Sequence, residues 1–177
     1  MPRCSYAVYL AHSSLSHGND LIIEETVVKR HQDGKNDDRV KKLPIPNNIV
    51  VLRENGIKTL YHFTDVSNLE SIREHGLLAW RKIESEKIKC KMNSSVLSHR
   101  LDVGKGLADY IRLSFCHKHP MMFKAINENR ISRPILEIKI EVVSRPGVLF
   151  CGRNAAANDA KTSGNPNVIR FDVARQE

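Results

Sequence analysis

Residues 135–143 read ILEIKIEVV, and the alternation is strict. Leu136, Ile138, Ile140 and Val142 fall on one side of an extended chain, Glu137, Lys139 and Glu141 on the other. Successive side chains of a strand point to opposite faces. The pattern therefore describes a strand with one apolar and one wet face. That is the habit of antiparallel sheets, not of parallel sheets covered on both sides. The same period recurs in TLYHFT (59–64), where Leu60, His62 and Thr64 share one face and Tyr61 and Phe63 the other. In IRLSF (111–115) it puts Arg112 and Ser114 outward. YAVYL (6–10), LIIEETVV (21–28) and NVIRFDV (167–173) add three more expected strands.

Helix signals are short and lie between these strands. In SNLESIREHG (67–76), Ser67 and Glu70 stand at capping-box spacing, Leu69 and Ile72 supply a buried face and Gly76 marks the stop. Pro120 opens MMFKAI as proline does at a first helical position. Short helices among alternating strands predict an α+β fold, not a doubly wound sheet. No G-x-G-x-x-G follows a strand. The glycines of VGKGL (103–107) stand too close for a P-loop, so both of those nucleotide sites are excluded. Residues 29–48, KRHQDGKNDDRVKKLPIPNN, are charged and carry Gly34, Pro44 and Pro46, as an exposed linker does. The expected division is an N-terminal extension with a charged linker over 1–48 and one domain over 49–177.

Charge narrows the partners. Lys and Arg number 28 against 20 Asp and Glu, giving a net charge of +8 and a pI near 9.5. Such a surface attracts polyanions, and nucleic acid is the first candidate. The four cysteines, Cys4, Cys90, Cys116 and Cys151, form no C-x-x-C pair. A structural zinc site is not expected, and reduced thiols in a cytoplasm fit best. Cys116, His117 and His119 match no common metal spacing, so no metal is expected there either. No apolar run approaches the ~20 residues of a membrane span. The N-terminal MPRCSYAVYLAHSS is not read as a signal peptide.

One stretch raises a chemical question. In YHFTDVSN (61–68) an imidazole and a hydroxyl, His62 and Thr64, share the face that Leu60 assigns to the core. They stand about 6.5 Å apart along a strand. Either His62 is a satisfied core histidine, or the pair meets a ligand, with Asn68 in the next helical turn close enough to join them. The amides of that turn would also favour an anion.

YHFTDVSNLESIREHGLLA (61–79) resembles the opening of the DarT family of ADP-ribosyltransferase toxins, a Y-H-[I/F]-T-[H/D]-x-x-N-L-x-x-I-x-x-x-G-L segment that binds NAD. SHRLDVGKGLADYIRLSFCHKHPMMFKAI (98–126) is similar to that family's arginine, glycine-bearing loop and D-Y-V-x-x-Y-F-C-x-x-x-P-M-[L/M]-[Y/F] run. RPGVLFCGRNAAAND (145–159) resembles a later F-x-D-x-x-A-type stretch. Three blocks in order, over residues 58–177, imply an ADP-ribosyltransferase-like fold of split mixed or antiparallel sheets with short flanking helices.

The resemblance also implies roles. His62 and Thr64 would contact the nicotinamide-side ribose and amide, and Asn68 the adenosine half or the phosphates. Arg100 would grip the pyrophosphate near the reacting centre; read without the family it is a solvated loop arginine. The family's catalytic glutamate has its match at Glu177, in VARQE, with Arg175 where many ADP-ribosyltransferases carry Gln or Glu. The family's following strand would lie beyond that residue, so a C-terminally truncated copy is expected. The co-substrate would be NAD, with no metal, and the acceptor a nucleobase in single-stranded DNA, with RNA as a further candidate. Lys82, Lys87, Lys89 and Lys91 would form the groove for that strand, with Trp80 and Met92 as candidates to stack on a base. A toxin of this kind acts in the cytoplasm beside an antitoxin protein. The alternative on the same fold is a noncatalytic or degraded module that binds NAD or nucleic acid.

Overall fold

The computed structural model describes residues 7–11, 21–22, 47–92, 96–116, 120–128, 135–152, 160–169 and 171. Seven strands form one sheet in the order β2-β5-β3-β4-β1-β6-β7. They are β1 (Ala7–Ala11), β2 (Leu21–Ile22), β3 (Thr59–Phe63), β4 (Tyr110–Ser114), β5 (Ile135–Lys139), β6 (Leu149–Cys151) and β7 (Thr162–Ser163). Each neighbouring pair is antiparallel. The helices are short: α1 (Asn47–Glu54), α2 (Leu69–His75), α3 (Trp80–Ser85), α4 (Val96–Gly104) and α5 (Pro120–Asn127). This is the α+β fold the alternating strands predict.

Register explains the core. Val8 and Leu10 of β1, Leu60 of β3, Ile111 and Leu113 of β4, Leu136 and Ile138 of β5 and Phe150 of β6 are buried together. Ile49 and Leu52 of α1 and Leu69 and Ile72 of α2 close over them. The opposite face carries Tyr9, Arg112 and Tyr61, brought level by the pairs Tyr9↔Arg112 and Tyr61↔Ser114. A smaller cluster of Tyr9, Leu107 and Cys151 is buried there.

Residues 7–11 and 21–22, read from sequence as part of an extension, are strands of the common sheet. β1 lies between β4 and β6, paired with both. The approach is close enough that a Cβ on Gly147 would sit 2.9 Å from the Cβ of Ala11, and Gly147 has φ +76°. The charged stretch 29–46 lies outside the described residues.

Three local expectations change. The β5 alternation stops at Lys139, and residues 140–144 wind into a 3-10 turn burying Ile140, Val142 and Val143. Asn48 of α1 donates to the Val143 carbonyl and Arg53 pairs with Glu141, so tertiary packing overrides a two-residue period that runs on unbroken in sequence. Pro166–Val168 forms a 3-10 turn where a strand was expected. Asn165 accepts from the Asn167 N–H and Pro166 occupies the first turn position. The capping box does not form either. Asp65 caps a 3-10 turn over Val66–Asn68 that leads into α2, and Asn68 makes no side-chain cap bond there.

Candidate active site

The site begins as a fork in the sheet. β3 pairs with β5 along its whole length, and β4 pairs with β1 along its whole length. Between β3 and β4 the ladder has one pair, Tyr61↔Ser114. Beyond it the two strands part, and a cavity of about 680 Å³ opens in the gap. That volume is in the range of ligand-binding clefts. Both sheet faces contribute lining, Ile111 and Leu113 from one and Tyr9 and Arg112 from the other, as a fork requires.

His62 stands in the fork and answers the question its sequence raises. Its Nδ1 lies 3.0 Å from the Arg112 carbonyl oxygen. A carbonyl only accepts, so Nδ1 carries the proton, and the imidazole replaces a backbone bond lost where the strands part. Nε2 is then an acceptor, on a ring that lines the cleft. Burial pushes the imidazole below its ordinary pKa, against the smaller opposing effect of the bond to Arg112. It is therefore neutral at neutral pH.

Thr64, Asp65 and Asn68 follow, all buried. The Asp65 carboxylate accepts from the Ser67 N–H at 3.0 Å, the Ser67 hydroxyl at 2.7 Å and Lys91 Nζ at 2.9 Å. Asn68 donates through Nδ2 to Thr64 Oγ1 and to the Lys91 carbonyl, both at 3.0 Å, and accepts the Lys91 N–H through Oδ1 at 2.7 Å. Both amide protons of Asn68 are thus committed to the protein. The side chain grips the Lys91 backbone as a strand neighbour would. Asn68 lines the cleft, but its work is to hold the wall formed by Ile88, Cys90, Lys91 and Met92. Thr64 accepts from Asn68 and keeps its own hydroxyl proton to donate.

The far wall comes from α3 and α4. Trp80 lines the cleft and stacks on His99 at 4.1 Å with an interplanar angle of 5°, so one face of the indole is covered. Its Nε1 is buried without a partner among the described residues. Ser98 also lines the cleft, and Asp102 is buried one turn further on. Asp102 forms an ion pair with Arg112. Arg100 is exposed and is not among the lining residues. It precedes Asp102 by two positions, about 200° around a helix.

Of the sequence-based candidates, the structure brings His62, Thr64 and Asn68 to the cleft, with Lys91, Trp80 and Met92 on its wall. Lys82 is exposed on α3, 3.6 Å from Glu86, and Lys87 and Lys89 are exposed on the segment that follows. Glu177, His117 and His119 lie outside the described residues. Among the described residues no group of three or more His, Cys, Asp or Glu is placed to hold a metal ion. No helix there is long and apolar enough to cross a membrane. Sequence reading passed over Arg112 and Tyr9. Arg112 alternates outward in its strand, which marks exposure and not a cleft, and Tyr9 sits in a segment with no motif. Burial raises the Tyr9 phenol to about 12, partly offset by Arg112, so it is neutral at pH 7.

The antiparallel α+β sheet is forked around a cleft whose charged lining, among the described residues, is Lys91, Arg112, Lys124 and Glu128. A family model described as ssDNA thymidine ADP-ribosyltransferase, DarT, matches residues 61–173, and the chain belongs to that family. A DNA ADP-ribosyl transferase-DNA ADP-ribosyl glycohydrolase fusion protein of Thermosipho africanus (strain H17ap60334) is 28% identical over 112 residues. The match covers 59% of this chain and 29% of that relative. No solved structure matches. Membership in an ADP-ribosyltransferase family implies NAD as co-substrate.

Proposed function

We propose that the protein transfers ADP-ribose from NAD to thymidine in single-stranded DNA. The observation that carries this reading is the forked cleft, because the family match begins at Tyr61, on the strand that forms one of its arms. NAD would lie in the cleft with its nicotinamide ribose at His62 and Thr64. His62 Nε2 accepts from a hydroxyl or amide N–H, and the Thr64 hydroxyl donates. Breaking the bond between ribose C1′ and nicotinamide builds positive charge on the ribose, as glycoside cleavage does. Nicotinamide departs as a neutral base, so the step needs neither a strong acid nor a metal. A carboxylate, assigned to Glu177, stabilises the cationic sugar and takes the proton that the base nitrogen loses as it bonds to C1′.

The acceptor strand would run along the wall from α3 to Met92, where Lys82, Lys87, Lys89 and Lys91 follow one another. The net charge of +8 supports a polyanion there. Acting on DNA in this way, the protein would serve as a toxin in the cytoplasm, held in check by an antitoxin. The test is to incubate the full chain with labelled NAD and oligonucleotides that contain or lack thymidine, single-stranded, duplex and RNA. Label is expected on single-stranded DNA with thymidine. NAD binding with no label on any nucleic acid would replace this reading by a binding module of the same fold.

A further inference from the structure

Among the described residues, Arg112 is the guanidinium that lines the cleft. It leaves β4 at the residue whose carbonyl holds the His62 imidazole, and both side chains line the same cavity. The ion pair with Asp102 is unequal: the Asp102 side chain is 5% exposed and that of Arg112 is 39%. The acid lies behind and the cation stands forward into the cavity. A guanidinium carries five N–H donors in a planar fork. Asp102 pairs with an Nη of Arg112, an anchor that orients the plane of the fork. Tyr9, directly across in the register, is a neutral phenol and does not cancel the charge.

The other cleft cations among the described residues are ammoniums without that fork: Lys91, paired with buried Asp65 much as Arg112 is with Asp102, and Lys124, 3.9 Å from Glu128, which lines the same cavity. Arg100 is exposed on α4 outside the lining. We propose that Arg112, held in orientation by the buried Asp102, is the residue that binds the pyrophosphate of the dinucleotide, in the place that sequence similarity gives to Arg100. This rests on the reading of the cleft as an NAD site. The fork of Arg112 suits two oxygens of one phosphate, and a side chain fixed from behind loses little freedom when the ligand arrives.

The competing account is that Arg112 exists only to neutralise Asp102, since a buried carboxylate requires a partner. The experiment separates the two. Affinity of the full chain for ADP-ribose is measured by calorimetry, with thermal melting as the control for folding. The variants are Arg112→Gln with Asp102→Asn, which leaves no orphaned charge; Arg112→Lys; and Arg100→Ala. The double variant is expected to melt cooperatively and to bind ADP-ribose about tenfold more weakly or worse, the loss of a charge-assisted bond. Arg112→Lys should also lose several-fold, because an ammonium keeps the charge without the fork. Arg100→Ala should stay within about twofold. If the double variant fails to fold, the lysine variant decides.

Unchanged affinity in a folded Arg112 variant, or an equal loss in Arg100→Ala, overturns the assignment while the NAD site stands. Failure of the unmodified chain to bind ADP-ribose overturns the NAD reading, and this assignment with it.

Discussion

A neutral imidazole sits at the point where β3 leaves β4, and its protonation should be felt by the whole fold. The His62 pKa is lowered by burial, so between the folded value and the ordinary one near 6.5 the unfolded chain binds the extra proton. The contribution to stability is therefore complete above about pH 6.5 and is lost as pH falls from there through the folded value. Melting temperature measured from pH 8 to pH 5 should fall more steeply for the unmodified chain than for His62→Gln, which keeps a donor for the Arg112 carbonyl and cannot be charged. Parallel curves would mean that His62 does not titrate as its setting requires. At this scale the sequence was informative where a residue type is unusual for its position. A histidine on the Leu60 face announces itself, whereas Arg112 on the outward face of a strand looks ordinary until the fork is seen.

The 88–92 wall of the cleft is held by side chains of another element, and that sets a prediction for the segment as a unit. Asn68 bonds both the N–H and the carbonyl of Lys91, and Asp65 takes the Lys91 ammonium. Asn68→Ala removes three hydrogen bonds in a buried setting, including the one to Thr64. A loss of about 1–3 kcal/mol is expected by denaturant unfolding. The Lys91 amide should exchange hydrogen much faster, while amides of β1 and β4 keep their protection. Unaltered exchange at Lys91 would show that the wall does not depend on Asn68. The motif itself was legible, since Thr64, Asp65 and Asn68 stand in YHFTDVSN. Their partner was not, because the Lys91 backbone carries no sequence signature and lies 23 positions away.

Over the whole molecule, the strand nearest the N-terminus is a central one. β1 is flanked by β4 and β6, and Val8 and Leu10 are fully buried in the main core. Leu10→Ala should cost about 2–5 kcal/mol, as cavities in packed cores do. A chain beginning after residue 11 should not melt cooperatively, since β4 and β6 would lose the strand between them. Normal melting of that shortened chain would make residues 7–11 an accessory. The sequence by itself determined the strands β1 to β5, the α+β class, the basic character and the motif over 61–79, because each is written in local periods and residue types; it did not show β6 and β7, and it placed a strand where Pro166–Val168 forms a turn. It also brought His62, Thr64 and Asn68 forward as a group. Only the tertiary structure decided that β1 completes the sheet, that β3 and β4 part after one pair, and that Arg112 faces the cleft while Arg100 faces out. Those outcomes depend on which distant segments pair and where a ladder stops. Pairing energy is shared between strands far apart in the chain, so no local pattern carries it.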